Sequence, residues 1–90
     1  MTVRLRLISR PECHLCEEMR REVDELLAER PRQWEIVDVD SDPELARRYG
    51  EVIPVLFVND ALFARVRLPR LASRLRLLRA ADRPGPAQAP

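Results

Sequence analysis

The chain has little of several residue types on which common protein classes depend. Its 90 residues include no lysine, one histidine, two cysteines, two glycines and four aromatic residues. No stretch approaches the ~18 consecutive apolar residues of a membrane-spanning helix. The N-terminus alternates apolar and charged side chains and lacks the apolar run of a signal peptide. We therefore expect a cytoplasmic protein that has no membrane partner.

Charge is balanced over the whole chain but unevenly placed along it. The formal net charge is +1, which gives no general attraction to polyanions. Residues 61–90 nevertheless contain seven arginines and a single acidic residue, Asp82. Because no aromatic residues are interleaved with these arginines, we expect no nucleic-acid partner. They form either an ordinary solvated helix face or a docking surface for an acidic partner, made by Arg65, Arg67, Arg70, Arg74, Arg76 and Arg79.

The two cysteines form one motif, Cys13-His14-Leu15-Cys16, so any disulfide within the chain must join them. A disulfide stabilises a protein mainly by restricting its unfolded chain, and a bridge across two intervening residues restricts it very little. Structural stabilisation is thus a poor reason for the pair. Thiol–disulfide exchange and metal binding remain as explanations. In a reducing cytoplasm, a pair that can form a disulfide is usually catalytic or redox-sensing.

Residue periodicity predicts an alternation of strands and helices. Apolar residues at every second position predict a strand, and apolar residues at every third or fourth position predict a helix. Ser41 and Glu44 have the spacing of a capping box, Pro43 suits the first turn of a helix, and Gly50 is a natural stop. The predicted elements are a strand at 3–9, a helix at 13–30, a strand at 34–39, a helix at 41–50, a hairpin of strands 52–58 and 61–66 that turns at Asn59-Asp60, and a helix after Pro69 with Leu68, Leu71, Leu75 and Leu78 on its apolar face.

These elements predict an α/β fold of order β-α-β-α-β-β-α. A right-handed crossover pairs the first two strands in parallel, and the hairpin adds antiparallel strands on the other side of the first strand. The expected result is a four-stranded mixed sheet with helices on both faces, built by residues 1–81. Residues 82–90 have no periodicity and contain three prolines, which predicts a disordered tail.

Three motifs together make the chain resemble the glutaredoxin-like family of the thioredoxin-fold superfamily over residues 3–79. They are Cys13-His14-Leu15-Cys16 after the first strand, Val37-Asp38-Val39-Asp40 at the end of the second, and Val52-Ile53-Pro54-Val55 at the start of the hairpin. The resemblance implies a thioredoxin-like fold and thiol–disulfide oxidoreductase activity. It also implies that Cys13 is the attacking thiol, that Cys16 is the resolving thiol, and that Pro54 is a cis-proline beside the disulfide.

The position of the motif suits the same roles for the two thiols. At a helix N-terminus, unpaired backbone N–H groups and the helix dipole favour the thiolate form of Cys13. Cys16 lies one turn further along, where it is more buried and still able to reach Cys13. His14, when protonated, would also stabilise the thiolate; the alternative is an exposed loop histidine. With Pro54 in cis, the backbone at Ile53 would be free to pair with an extended substrate chain.

One departure from the family concerns the glutathione site. Glutaredoxins that bind glutathione typically carry Gly-Gly followed by Asp at the start of the last helix, whereas the corresponding stretch here reads Ala64-Arg65-Val66-Arg67. An arginine there repels the glutathione ammonium group, although Arg65 or Arg67 would suit a glutathione carboxylate. We therefore expect a weak or altered glutathione site and protein disulfides as the main substrates. Glutathione and a thioredoxin reductase system are both candidate reductants.

Two other function classes fit the motif less well. A metal or iron–sulfur carrier would use Cys13 and Cys16 as two soft ligands, but a closed site needs four, so only a dimer or added thiols would complete it. We expect a monomer with no metal and no other cofactor. A non-catalytic binding module would use the arginine-rich surface instead.

Overall fold

The computed structural model describes residues 2–70 and 73–84. Their elements, in chain order, are the strand β1 (Val3–Ser9), the helix α1 (His14–Leu26), β2 (Arg32–Asp38), a 3₁₀ turn (Val39–Ser41), α2 (Pro43–Tyr49), β3 (Val55–Val58), β4 (Ala61–Arg65) and α3 (Ser73–Asp82). This is the predicted order of strands and helices. None of these helices is long and apolar enough to cross a membrane.

The four strands form one mixed sheet in the order β2-β1-β3-β4. β1 pairs in parallel with β2, and β3 pairs antiparallel with both β1 and β4. The parallel pair needs the α1 crossover, whereas β3 and β4 need only a short turn. The turn residues Asn59 and Asp60 have φ angles of 48° and 71°, the left-handed backbone that two-residue hairpins favour. The predicted fold class and sheet topology are confirmed.

Alternation along β1 divides its side chains between the two faces of the sheet. Val3, Leu5 and Leu7 are buried on one face and Ile8 on the other. On the first face they pack with Leu27, which follows α1, and with the buried side chains of the first and last helices, which are Cys16, Met19, Val23, Leu77 and Ala81. On the second face Ile8 lies in a smaller cluster against which Leu45 of α2 packs. Helices therefore cover both faces, α1 and α3 on one and α2 on the other.

The helix α1 ends at Leu26, earlier than the predicted end at residue 30. The guanidinium of Arg32, at the start of β2, donates to the carbonyl oxygens of Leu27 and Arg30 at 3.0 and 3.2 Å. A helix end leaves such carbonyls without partners inside the helix. Because a side chain from the next strand satisfies them, the chain can leave the helix at Leu26 and reach β2 through residues 27–31.

The predicted capping box of the second helix is wrong. Ser41 lies in the 3₁₀ turn and donates its hydroxyl to the carbonyl oxygen of Asp38 at 2.7 Å, so it does not cap α2. The cap is Asp42, whose carboxylate accepts the backbone N–H of Glu44 at 3.1 Å. The helix then ends at Gly50 as predicted. The extra turn after β2 moves the helix start by one residue.

The apolar face around α3 agrees only in part with the prediction: Leu68, before the helix, is buried and Leu78 packs against the core as predicted. Leu77 and Ala81 are buried, whereas Leu75 is 50% exposed. Two residues along a helix are about 200° apart around its axis, so Leu75 faces solvent once Leu77 faces the sheet. Leu71 lies outside the described residues. The helix continues to Asp82, one residue into the predicted tail, and residues 85–90 of that tail also lie outside the described residues.

Candidate functional site

The two cysteines lie at the end of the sheet where β1 leads into α1. Cys13 is the N-terminal cap of α1: its sulfur accepts the backbone N–H of Cys16 at 3.2 Å, and its own backbone is extended. The two residues are joined in a disulfide with their Cα atoms 5.2 Å apart, within the ordinary range of about 4.4–6.8 Å. The Cys13 sulfur therefore lies at the positive end of the helix dipole.

The two cysteines differ in their exposure to solvent. Cys16 is 4% exposed and belongs to the main core cluster, on the same helix face as the buried Met19 and Val23. Cys13 is half-buried and packs at the margin of that cluster. An attacking thiol must be reached from outside, whereas a resolving thiol needs only to reach its neighbour. The exposure of each cysteine thus suits the role implied for it.

The turn that leads into Cys13 holds an unusual backbone conformation. Glu12 has a φ of 59°, in the left-handed region that residues other than Gly, Asn and Asp seldom adopt. Its side chain is exposed, so burial of the side chain does not explain the choice of residue. Conformations of this kind persist where the surrounding structure imposes them, and they are concentrated at functional sites. This turn lies directly before the cysteine pair.

The peptide bond between Ile53 and Pro54 is cis, as the family resemblance implies. Pro54 is buried, and its carbonyl oxygen accepts the N–H of Val66 at 2.8 Å. Ile53 is half-buried against the same core cluster as Cys13. Within the described part of the chain, Ile53 takes part in no backbone-to-backbone hydrogen bond. Its backbone groups therefore meet a requirement for pairing with an extended substrate chain.

The two arginines predicted for substrate binding lie at and just beyond the end of β4. Arg65, Val66 and Arg67 form a γ-turn, in which the N–H of Arg67 donates to the carbonyl oxygen of Arg65 at 2.6 Å. The φ of Val66 is 64°, which is a genuine outlier for a β-branched residue. Both arginine side chains are exposed, and neither forms an ion pair with another described residue.

A groove of about 530 Å³ connects this segment to the cysteine motif. α1 lines one side and the segment after β4 lines the other, and the charged lining residues are Glu18, Glu22, Arg67 and Arg70. Leu15, between the two cysteines, also lines the groove. The fold thus brings Arg67 close to the motif, whereas Arg65 does not line this groove. His14 is exposed and is the first residue of α1, so it does not lie in a loop.

A smaller cavity, of about 140 Å³, lies between the motif and β2. Both cysteines line it, together with Arg10 and Glu12 from the turn, Glu17 and Arg20 from α1, and Ile36 from β2. Of these residues, the sequence predicts only the two cysteines as part of the site. The disulfide therefore borders this cavity, whereas the groove toward β4 meets the motif only at Leu15.

Arg10 is held in place by an ion pair that links the ends of two strands. Its guanidinium donates to both carboxylate oxygens of Asp40, at 2.8 and 3.2 Å. This hydrogen-bonded contact raises the pKa of Arg10 and lowers the pKa of Asp40. A sequence signal for the pair exists, because Arg10 follows β1 and Asp40 closely follows β2, and the carboxyl ends of neighbouring parallel strands meet at one edge of a sheet.

The two cysteines have no further metal-binding side chains grouped with them in the described chain. Among residues 2–70 and 73–84, no group of three or more His, Cys, Asp or Glu side chains is placed to hold a metal ion. A closed zinc site uses four such ligands. In this structure Cys13 and Cys16 are instead bonded to each other as a disulfide.

The chain is similar to one described family and to solved structures. The family model for the glutaredoxin-like domain (DUF836) matches residues 4–76. The solved protein XcR50 from X. campestris is 29% identical with a TM-score of 0.58, over 88% of this chain and 99% of that one. A malarial protein of known structure is 20% identical with a TM-score of 0.56, over 92% and 100% of the two chains, and shows a shared fold. No curated protein gives a significant match.

Proposed function

Because the chain belongs to the glutaredoxin-like domain family, we propose that it is a thiol–disulfide oxidoreductase that cycles Cys13 and Cys16 between a disulfide and a dithiol. The family match and the disulfide-bonded pair fit a thiol redox role. The observation that supports catalysis most directly is the unequal exposure of the two cysteines at the start of α1. A bridge that served only to hold the chain would need no such difference.

The first step is an attack by Cys13 of the reduced protein. Its thiolate is stabilised by the helix dipole and by backbone N–H groups, including that of Cys16. The thiolate attacks one sulfur of the substrate disulfide, so a bond forms between that sulfur and Cys13 while the substrate S–S bond breaks. The second substrate sulfur leaves as a thiolate and takes a proton from water. The product is a mixed disulfide of Cys13 and the substrate.

The second step is resolution by Cys16. Its thiol loses a proton and attacks the sulfur of Cys13, which forms the internal disulfide and breaks the mixed disulfide. The remaining substrate sulfur is released and protonated. Two electrons and two protons have then passed from the dithiol to the substrate. A thiol reductant, either glutathione or a thioredoxin reductase system, returns the pair to its reduced form.

Protein disulfides are the substrate class that this site suits better than small glutathione mixed disulfides. The γ-turn at Val66, flanked by Arg65 and Arg67, stands where a glutathione-binding glutaredoxin carries paired glycines. The branched side chain of Val66 leaves less room for glutathione than glycine would. The positive charges of the two arginines repel the ammonium group of glutathione. The unpaired backbone at Ile53 supports the pairing of an extended protein chain instead.

The test compares two substrates of the reduced protein, the disulfides of insulin and a glutathionylated peptide. We expect a faster reduction of insulin, because turnover of the glutathionylated peptide requires its glutathione group to bind beside Arg65 and Arg67, which repel the glutathione ammonium group. Faster turnover of the glutathionylated peptide would overturn the substrate assignment. An absence of exchange with both substrates would overturn the proposed function itself.

A further inference from the structure

Resting on the proposed function, we propose that Ile36 and the cavity beside it form a contact site for an apolar side chain of the protein substrate. The side chain would belong to a residue next to the cysteine that reacts with Cys13. The site lies toward β2. It is therefore separate from the backbone of Ile53, and it would select among protein substrates by their side chains.

Ile36 is exposed although its neighbours in the sheet are covered. It is paired in register with Leu7 of β1, which is 2% exposed. Paired residues of neighbouring strands face the same side of a sheet, so Ile36 faces the side covered by α1. It is nevertheless 46% exposed, on the strand that forms one edge of the sheet. Among the described residues only Leu62 and Leu75 are large apolar side chains of similar exposure.

The disulfide and Ile36 line the same cavity, whose volume is about 140 Å³. A cavity of about 150 Å³ holds one benzene molecule, so this one has the size for a single apolar side chain. Consecutive Cα atoms are about 3.8 Å apart. A substrate cysteine bonded to Cys13 would therefore place its neighbouring side chain within reach of Ile36.

The charged rim of the cavity favours neutral or basic substrate residues over acidic ones. The guanidinium of Arg10 is paired with Asp40, so the charges left on the rim are two carboxylates and the single guanidinium of Arg20, which lies 5.6 Å from the centre of the Trp34 ring. Glu12 and Glu17 line the same rim and form no ion pair with any described residue. Their negative charges would repel an acidic residue beside the substrate cysteine. The occupant is thus an aliphatic side chain in a neutral or basic segment.

The test uses Ile36→Ser with two matched controls, Leu62→Ser and Leu75→Ser, whose wild-type side chains are 47% and 50% exposed on β4 and α3. The kcat/KM of each protein is measured with insulin and with hydroxyethyl disulfide, which has no side chain to fill the cavity. Ile36→Ser should lower kcat/KM for insulin about tenfold, the loss expected for one apolar contact. The value for hydroxyethyl disulfide should fall much less. Ile36→Val should keep most of the kcat/KM of the unmodified protein for insulin.

A second measurement compares two peptides that carry Leu or Asp beside a disulfide-bonded cysteine. The unmodified protein should prefer the Leu peptide, and Ile36→Ser should reduce that preference. The inference is overturned if Ile36→Ser keeps the insulin rate, or if Leu62→Ser lowers it equally. In both cases the unmodified protein still reduces the disulfides, so the proposed function survives. If the unmodified protein reduces neither insulin nor hydroxyethyl disulfide, the proposed function fails and this site fails with it.

Discussion

The two ends of the sheet use the same unusual backbone conformation with different residues. At the hairpin end, positive φ angles fall on Asn59 and Asp60, and at the disulfide end they fall on Glu12 and Val66. Asn and Asp tolerate the left-handed region, whereas Glu adopts it seldom and a β-branched residue is an outlier there. The hairpin end is therefore built from residues that favour stability. The disulfide end keeps conformations that stability alone would not select.

The hairpin end and the disulfide end of the sheet also differ in their hydrogen bonds. Asn59 is 5% exposed and joins three elements: its Oδ1 accepts the N–H of Arg4 at 2.9 Å, and its Nδ2 donates to the carbonyl oxygens of Ala81 and Arg83, both at 3.0 Å. At the other end, Ile53 has no backbone-to-backbone partner among the described residues. The hydrogen bonds of Asn59 and the disulfide therefore lie at opposite ends of one small sheet.

The largest expected effect is on exchange, from substitution of a single sulfur at the disulfide end. Cys13→Ser should abolish thiol–disulfide exchange, whereas Cys16→Ser should still attack but remain covalently bound to its substrate. Mass spectrometry of each variant after incubation with insulin distinguishes the two results. Both variants should keep a melting temperature close to that of the reduced protein. A Cys13→Ser variant that retains exchange would break the division of roles.

The next largest effect is on stability, from the hairpin end. Asn59→Ala should lower the free energy of unfolding by about 3 kcal/mol, because it leaves buried backbone groups without partners and loses the residue suited to a left-handed turn. Asn59→Gly is the matched control. Glycine keeps the turn conformation, so the free energy of unfolding should fall by about 1 kcal/mol less than in Asn59→Ala.

Chemical denaturation measures both Asn59 variants, and the rate of insulin reduction is measured on the folded protein. The rate should stay close to that of the unmodified protein, because Asn59 lies at the end of the sheet opposite to Cys13. A large fall in the rate for folded Asn59→Gly would show that the two ends are coupled, contrary to the comparison.

A smaller gain in stability should follow from Glu12→Gly at the disulfide end. Glycine adopts the left-handed region without steric penalty, so the free energy of unfolding should rise by about 1 kcal/mol. Glu12→Ala keeps the unfavourable backbone and should bring no gain. Thermal unfolding of the two variants compares them directly. Equal stability of the Gly and Ala variants would argue against backbone strain at this turn.

The smallest effect concerns Asp24, which accepts hydrogen bonds from Arg32 and Trp34 at 2.7 and 2.9 Å. Partial burial acts to raise the pKa of Asp24, but the hydrogen bonds from Trp34 and Arg32 outweigh it and hold the pKa below the usual 3.8. A lowered pKa in the folded state contributes stability above the unfolded pKa, and this is lost as pH falls through the folded pKa.

Asp24→Asn should therefore lower the free energy of unfolding by about 0.5 kcal/mol at neutral pH. Below about pH 4 the stability of the variant should decline less steeply than that of the unmodified protein. Denaturation at several pH values measures both slopes. If the two proteins lose stability equally on acidification, the ion pair does not contribute as described.

Features that depend on local sequence were predicted well. The alternation of Val3, Leu5 and Leu7 is enough to predict β1, and the adjacent turn residues Asn59 and Asp60 are enough to predict the hairpin. The family resemblance, carried by three short motifs, placed Pro54 correctly in cis. Such features need only a few neighbouring residues.

Features that depend on distant contacts were missed. Arg32 satisfies the end of α1 from the following strand, and Arg10 meets Asp40 only because β1 and β2 lie side by side. The exposure of Ile36 likewise depends on how the elements pack around the edge strand β2. Periodicity along a single element contains no information about these contacts, so the cavity beside the disulfide required the folded structure.

The central claim is that Cys13 is the reactive thiol and Cys16 the shielded one. The most direct test is brief alkylation of the fully reduced protein near pH 7, followed by peptide mapping of the label. The account predicts that label appears first and mainly on Cys13, because its sulfur lies at the start of α1 and is more exposed than that of Cys16. Label mainly on Cys16 would contradict the account.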